Sequence, residues 1–132
     1  MVVIVLVWAL GCVGADGDTG DSSADTPAFT EDLQPIFNRN CVGSCHDATT
    51  RSGGLTLAAD VAYSELVGVP SEQVPALARV APGDPDASYL LNKLEGSHMS
   101  VGGEGTRMPP ELVLAQTELD LFRAWIAAGA AE

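Results

Sequence analysis

The sequence predicts a small, mainly helical domain, and three observations carry that expectation. The chain has 132 residues and 13.6 kDa, enough for one ordinary domain and little more. Apolar residues beyond position 29 recur at helical spacing between caps and glycine stops, and no alternating strand pattern of useful length appears. The apolar fraction of 46% is too high for a chain disordered throughout. Yet only seven residues are Phe, Trp or Tyr, against 22 that are Gly or Pro, so the core is short of bulk. Small domains of this kind often need a staple, a metal or a cofactor to complete the interior. The three cysteines are the place to look.

The amino terminus reads as a leader and a tether. Met1 to Leu10 is nearly all apolar and ends at Gly11-Cys12. Ten residues fall short of the roughly 20 that cross a bilayer as a helix, but they suit the hydrophobic region of a secretion signal over residues 1–12. Ala9-Leu10-Gly11-Cys12 resembles a bacterial lipobox, which makes Cys12 the expected lipid attachment point. An ordinary cleaved signal with an incidental Cys is the alternative. Residues 13–28 hold four Asp, no basic residue and no large apolar side chain except Val13. Such a stretch is expected to be a flexible acidic tether, able to hold a domain off a membrane surface.

Four helices are expected in the domain, residues 29–132. Thr30 is the expected cap of the first, with Glu31 and Asp32 near its positive end and Leu33, Ile36 and Phe37 as its apolar stripe. The second is expected from Ala58 to Val67, burying Ala62 and Leu66 and stopping at Gly68. The third has Asp84 as N-cap, Pro85 at the first position, Leu90, Leu91 and Leu94 inside, and Gly96 past its end. The last is expected from near Thr117, with Leu121, Phe122, Trp125 and Ile126 facing inward and Gly129 as its stop.

The chemistry lies in Cys41-Val42-Gly43-Ser44-Cys45-His46, one residue longer than the C-x-x-C-H signature of c-type haem attachment. There, two thiols form thioether bonds to haem vinyl groups and the adjacent His binds iron. On a helix, residues three and four apart are separated by about 300° and 400°, so both spacings share a face. Their axial separation grows from roughly 4.5 to 6 Å, which local unwinding around Gly43 would absorb. Three other readings compete. Zinc needs four ligands, and the neighbours Cys45 and His46 are a poor pair on one metal. A Cys41–Cys45 disulfide suits an exported domain but leaves His46 unexplained. A redox dithiol usually has two intervening residues in a βαβ setting.

Downstream, Met108-Pro109-Pro110 follows the loop Gly102-Gly103-Glu104-Gly105, and Met108 stands 62 residues beyond His46. A Met thioether can be the second axial ligand of haem iron, and Met/His ligation raises the reduction potential. Core packing is the commoner role of any single Met. His98 and Met99 are rival ligands. Met108 is preferred because prolines fix its approach.

The domain resembles a bacterial monohaem cytochrome c, close to the planctomycete-type cytochrome c family. The resemblance rests on Pro35-Ile36-Phe37, Gly53-Gly54-Leu55-Thr56-Leu57, Pro82-Gly83-Asp84-Pro85, Ser88-Tyr89-Leu90-Leu91, Met108-Pro109-Pro110 and Trp125-Ile126-Ala127-Ala128-Gly129-Ala130. It covers nearly all of residues 29–132 and departs in the Cys41/Cys45 spacing. It implies a small cytochrome c-like fold around one haem c, bound covalently through Cys41 and Cys45, with His46 as proximal and Met108 as distal ligand. It also implies that the first and last helices pack together over one haem edge. Gly53 and Gly54 either admit haem close to the backbone or simply form a turn. Arg107, Arg51 and Tyr89 are weak candidates for pairing with propionates, and Trp125 is expected in the core.

The function implied is electron transfer rather than catalysis, since no acid–base or nucleophile constellation is visible and a single haem motif does not make a two-haem enzyme. The alternative is a haemless helical module at the cell envelope, stapled by Cys41–Cys45 and serving binding or structure. A formal charge of −12 excludes the basic footprint of a nucleic-acid binder. Four of the 18 acids lie in the tether, which leaves 14 acids and six bases, net −8, on the domain. That field favours a redox partner with a basic docking face and salt-sensitive rates. The expected location is the periplasmic or outer-membrane side of the envelope, anchored through Cys12. Three cysteines then divide as one for lipid and two for haem.

Overall fold

The computed structural model describes residues 26–132, so the apolar run, Cys12 and most of the tether lie outside the described residues. The described chain is mainly helical. Its elements are α1 (Gln34–Phe37), flanked by π turns at Phe29–Leu33 and Asn38–Val42, then α2 (Ala62–Leu66), α3 (Tyr89–Glu95) and α4 (Gln116–Ala127). Short 3-10 turns lie at Ser52–Gly54 and His98–Val101. Among the described residues there is no strand, only isolated bridges such as Val67 to Val80 and Ala78 to Ser88.

The apolar stripes bury as expected except at Leu121, which is half-buried, while several helix ends differ for local reasons. The first helical segment is capped at Ala28, not Thr30, because the Asp32 carboxylate reaches back to accept the Ala28 N–H at 2.7 Å. α2 is shorter than Ala58 to Val67, its first part being a turn in which Ala62 donates to Ala58. α3 begins at Tyr89, four residues after Pro85. Asp84 does cap, but it caps an isolated turn: its carboxylate accepts the Ala87 N–H at 3.1 Å, and Ser88 Oγ donates to its carbonyl at 2.8 Å. The first N–H groups of α3 then bond across the chain, Tyr89 to Ala78 and Leu90 to Arg79, both at 2.9 Å. Tertiary carbonyls thus satisfy the donors that a cap would otherwise serve. Gly96 ends α3 at φ 84°, the left-handed position that favours glycine. α4 starts at Gln116, with the Glu118 carboxylate accepting the Ala115 N–H at 3.0 Å.

The first and last helical segments pack through aromatic rings. Phe29 and Trp125 have centroids 5.3 Å apart, and Phe37 and Phe122 are 5.2 Å apart. Tyr63 meets Phe29 edge-on at 5.4 Å. Phe29, Phe37, Phe122 and Trp125 are all essentially inaccessible to water, each side chain contributing about 1.5–3 kcal/mol or more through burial. Two polar ends of this cluster pin the carboxyl-terminal tail: Trp125 Nε1 donates to Ala131 at 2.6 Å, and the Tyr63 hydroxyl donates to Ala130 at 3.0 Å. Trp125 is therefore core, as its place in an apolar stripe predicts.

Candidate functional site

Phe37 belongs to the aromatic cluster and also lines a cavity of about 780 Å³, a size suited to a small molecule or cofactor. Leu55, Leu57, Leu66, Leu90 and Leu94 supply further apolar wall. Cys41, Cys45, His46 and Met108 line the same cavity. Residues separated by most of the domain's sequence thus share one space.

The cysteine segment leaves the helix through a widened turn. His46 N–H bonds to the carbonyl of Cys41, five residues back, at 3.2 Å and to that of Val42 at 3.1 Å. The turn Asn38–Val42 is π-type and closes at Gly43, whose φ of 14° and ψ of −111° leave the helical region. Unwinding therefore occurs at Gly43, where the sequence places it, and the extra residue enlarges a turn. Cys41 is half-buried and Cys45 exposed, and the two thiols are unbonded. Burial, followed by the negative charge of Cys45 and Glu118, pushes the Cys41 thiol up to about 11. At neutral pH Cys41 keeps its proton, unlike the thiolate of a nucleophilic or metal-binding cysteine.

His46 is oriented by backbone. Its Nδ1 lies 3.1 Å from the Leu55 carbonyl oxygen. A carbonyl can only accept, so Nδ1 is the donor, and in the neutral imidazole this leaves the lone pair on Nε2. The loop that delivers this carbonyl is itself fastened. Ser52 N–H donates to Cys45 and Leu57 N–H to His46, both at 2.8 Å. The Asp47 carboxylate accepts the N–H groups of Thr49 and Thr50 at 2.7 Å, bonds that hold its carboxyl below the usual range. Beneath the loop, Gln34 Nε2 donates to the Leu57 carbonyl at 2.9 Å and joins it to α1.

Met108 is half-buried, and its N–H donates to the Lys93 carbonyl at 2.9 Å. Its peptide bond to buried Pro109 is cis. The loop before it is held by Gly103 N–H to the His98 carbonyl, 2.8 Å, and by His98 Nε2 to the Gly105 carbonyl, 3.1 Å. A Cβ on Gly103 would collide with the Tyr89 hydroxyl and lie 2.8 Å from the His98 carbonyl, so glycine is required there.

The rivals separate from Met108. Met99 is 64% exposed. His98 is buried and spends Nε2 on the loop, and neither residue lines the cavity. Gly53 lines it, whereas Gly54 faces the Glu72 carboxylate, and both form a positive-φ turn. Arg51 is bound by Glu65 at 2.8 Å, and Arg107 packs against Gly96. Tyr89 lines the cavity with its hydroxyl donated to Gln73.

Sequence reasoning missed the Leu55 carbonyl, Gln34, Lys93 and Arg79. A backbone acceptor has no residue signature, so Leu55 carried no signal. Gln34 did carry one, as a polar side chain beside the buried stripe Leu33, Ile36, Phe37. Arg79 is 9% exposed and donates to Glu65 at 3.1 Å, with Glu72 at 3.6 Å.

Among the described residues, no three His, Cys, Asp or Glu side chains gather as a metal-holding group. The arrangement instead offers an imidazole nitrogen, a thioether and two thiols around a largely apolar space. Such a set of donors can hold a metal-bearing ligand in a partly apolar setting. Comparison with protein-family models, with curated proteins and with solved structures finds no match to the chain.

Proposed function

We propose that residues 29–132 form a monohaem electron-transfer domain of the cytochrome c kind, with its helices closed around one haem c. One observation carries the reading: Cys41, Cys45, His46 and Met108, selected from sequence for this role, line a single cavity of about 780 Å³. The donor set fits the group. His46 offers Nε2 while Nδ1 is committed to Leu55, Met108 offers a soft thioether, and the thiols of Cys41 and Cys45 provide for covalent attachment.

When bound, the haem supplies a one-electron Fe(III)/Fe(II) couple. The chain does the rest. The Leu55 carbonyl fixes the imidazole tautomer and ring plane and raises the basicity of Nε2. The Met108 loop brings a second donor to the cavity, so His46 and Met108 would be the two side chains to hold the iron. The leucines Leu55, Leu57, Leu66, Leu90 and Leu94 would give a bound haem apolar contact, which bears on its potential. The domain charge of −8 favours encounter with a basic partner face at salt-sensitive rates. A lipid at Cys12 and the acidic tether would hold this carrier at the envelope surface.

Expression in a host that attaches haem c tests the proposal. The expected product has a sharp reduced α band and an intact mass increased by one haem, and a lipid at Cys12 adds to the mass of the exported chain. His46→Ala is expected to lose the low-spin spectrum. A colourless wild-type product whose Cys41 and Cys45 are free or joined in a disulfide would refute it, in favour of the stapled helical module.

A further inference from the structure

Six positive side chains are distributed unevenly over this acidic domain. Arg39, Arg51, Arg79 and Arg123 each meet at least one carboxylate within 4 Å. Lys93 and Arg107 do not, among the described residues. Of that pair, only Lys93 lines the cavity. Its ammonium donates instead to two carbonyls of one loop, Glu104 at 2.6 Å and Thr106 at 3.1 Å. Its own carbonyl accepts the Met108 N–H at 2.9 Å. One residue of α3 thus binds the approach to Met108 three times, through side chain and backbone. Hydrogen bonds from a charged donor are about twice as strong as neutral ones.

We infer that Lys93 is the positioning residue for the Met108 ligand and sets a positive charge, with no carboxylate within 4 Å of it, on a wall that also carries Glu72 and Glu104. This rests on the haem reading and deepens it by naming the residue that controls the distal side. The two effects act together. The ammonium holds the Glu104–Met108 loop closed, which keeps the thioether available, and its charge disfavours the more positive Fe(III) state, which raises the reduction potential. Arg79 also lines the cavity, but Glu65 and Glu72 offset its charge. His98 supports the same loop through Gly105 without adding such a partnerless cation to the wall.

Lys93→Met removes charge and donor while keeping an unbranched side chain suited to a helix. The expected result in the haem-loaded protein is a lower potential and loss of the sulfur-to-iron(III) absorption. In the haem-free chain, exchange protection of the Met108 amide falls at least about tenfold relative to amides of α4. Lys93→Arg, which retains the charge and can reach two carbonyls, restores the absorption and most of the potential. Where Lys93→Met does not accumulate, Lys93→Gln carries the same comparison. A Lys93→Met protein with wild-type potential, absorption and amide protection overturns the assignment. A wild type that never takes up haem sinks the haem reading instead, and amide exchange alone then decides whether Lys93 holds the loop.

Discussion

The aromatic cluster and the cavity wall share Phe37 but are fastened by different means. The cluster joins the first helical segment to α4 by ring contacts 5.2 and 5.3 Å between centroids. The cavity wall is held largely by side-chain donors on backbone carbonyls: Gln34 on Leu57, His46 on Leu55, His98 on Gly105 and Lys93 on Glu104 and Thr106. Apolar packing is non-directional and tolerates approximate fit. Hydrogen bonds fix direction. The first kind of holding builds a frame, and the second aims particular atoms at a space.

The largest expected break between the two regions is Phe122→Ala. Removing a ring with no exposed surface is expected to cost about 3–5 kcal/mol, measured by denaturant unfolding. If the frame supports the cavity, Nδ1 of His46 also loses protection as the frame loosens. Unaltered stability would mean that the cluster is not the frame.

A smaller effect comes from pH and sharpens the comparison on the cavity side. The folded chain holds the Cys41 proton up to about 11, against 9.0 for an unperturbed thiol. Its contribution is therefore full below pH 9 and lost as pH rises toward 11, on the order of 2 kcal/mol. Unfolding of the reduced, haem-free chain at pH 8 and pH 10.5 should show this fall, and Cys41→Ala should remove it. A sulfur converted to thioether has no such proton, so the haem-attached chain should lose the Cys41 contribution to the slope.

The smallest expected effect tests the link between the regions. Gln34→Met deletes the donor that ties α1 to Leu57 and costs about 1 kcal/mol. Exchange of amides near Leu55 to Leu57 should rise while those of α4 stay protected. Equal loosening of both would show that the two regions unfold as one unit.

The same division governs what could be read from sequence. Leu33, Ile36, Phe37 and Leu121, Phe122, Trp125, Ile126 announce their helices because a buried stripe must recur with the helical period. Gly96 was legible because its left-handed backbone selects glycine. Cys41, Cys45, His46 and Met108 could be chosen by chemistry, and their common cavity fits that choice. The start of α3 was misplaced because Asp84 and Pro85 specify only a turn, while Ala78 and Arg79 supply the carbonyls that admit Tyr89 and Leu90 to the helix. The Leu55 carbonyl and the double role of Lys93 were invisible for a related reason. Both depend on chain meeting chain across distance, which no local pattern encodes.

On the proposed haem reading, the wide turn that His46 closes on Cys41 bears on how an attachment apparatus would identify its target. An added amino acid can be stored as girth in the turn where the helix ends. An apparatus that handles this segment would then need to sense contour rather than count letters. A search that demands a fixed number of positions between two thiols discards such a chain before its shape is ever consulted.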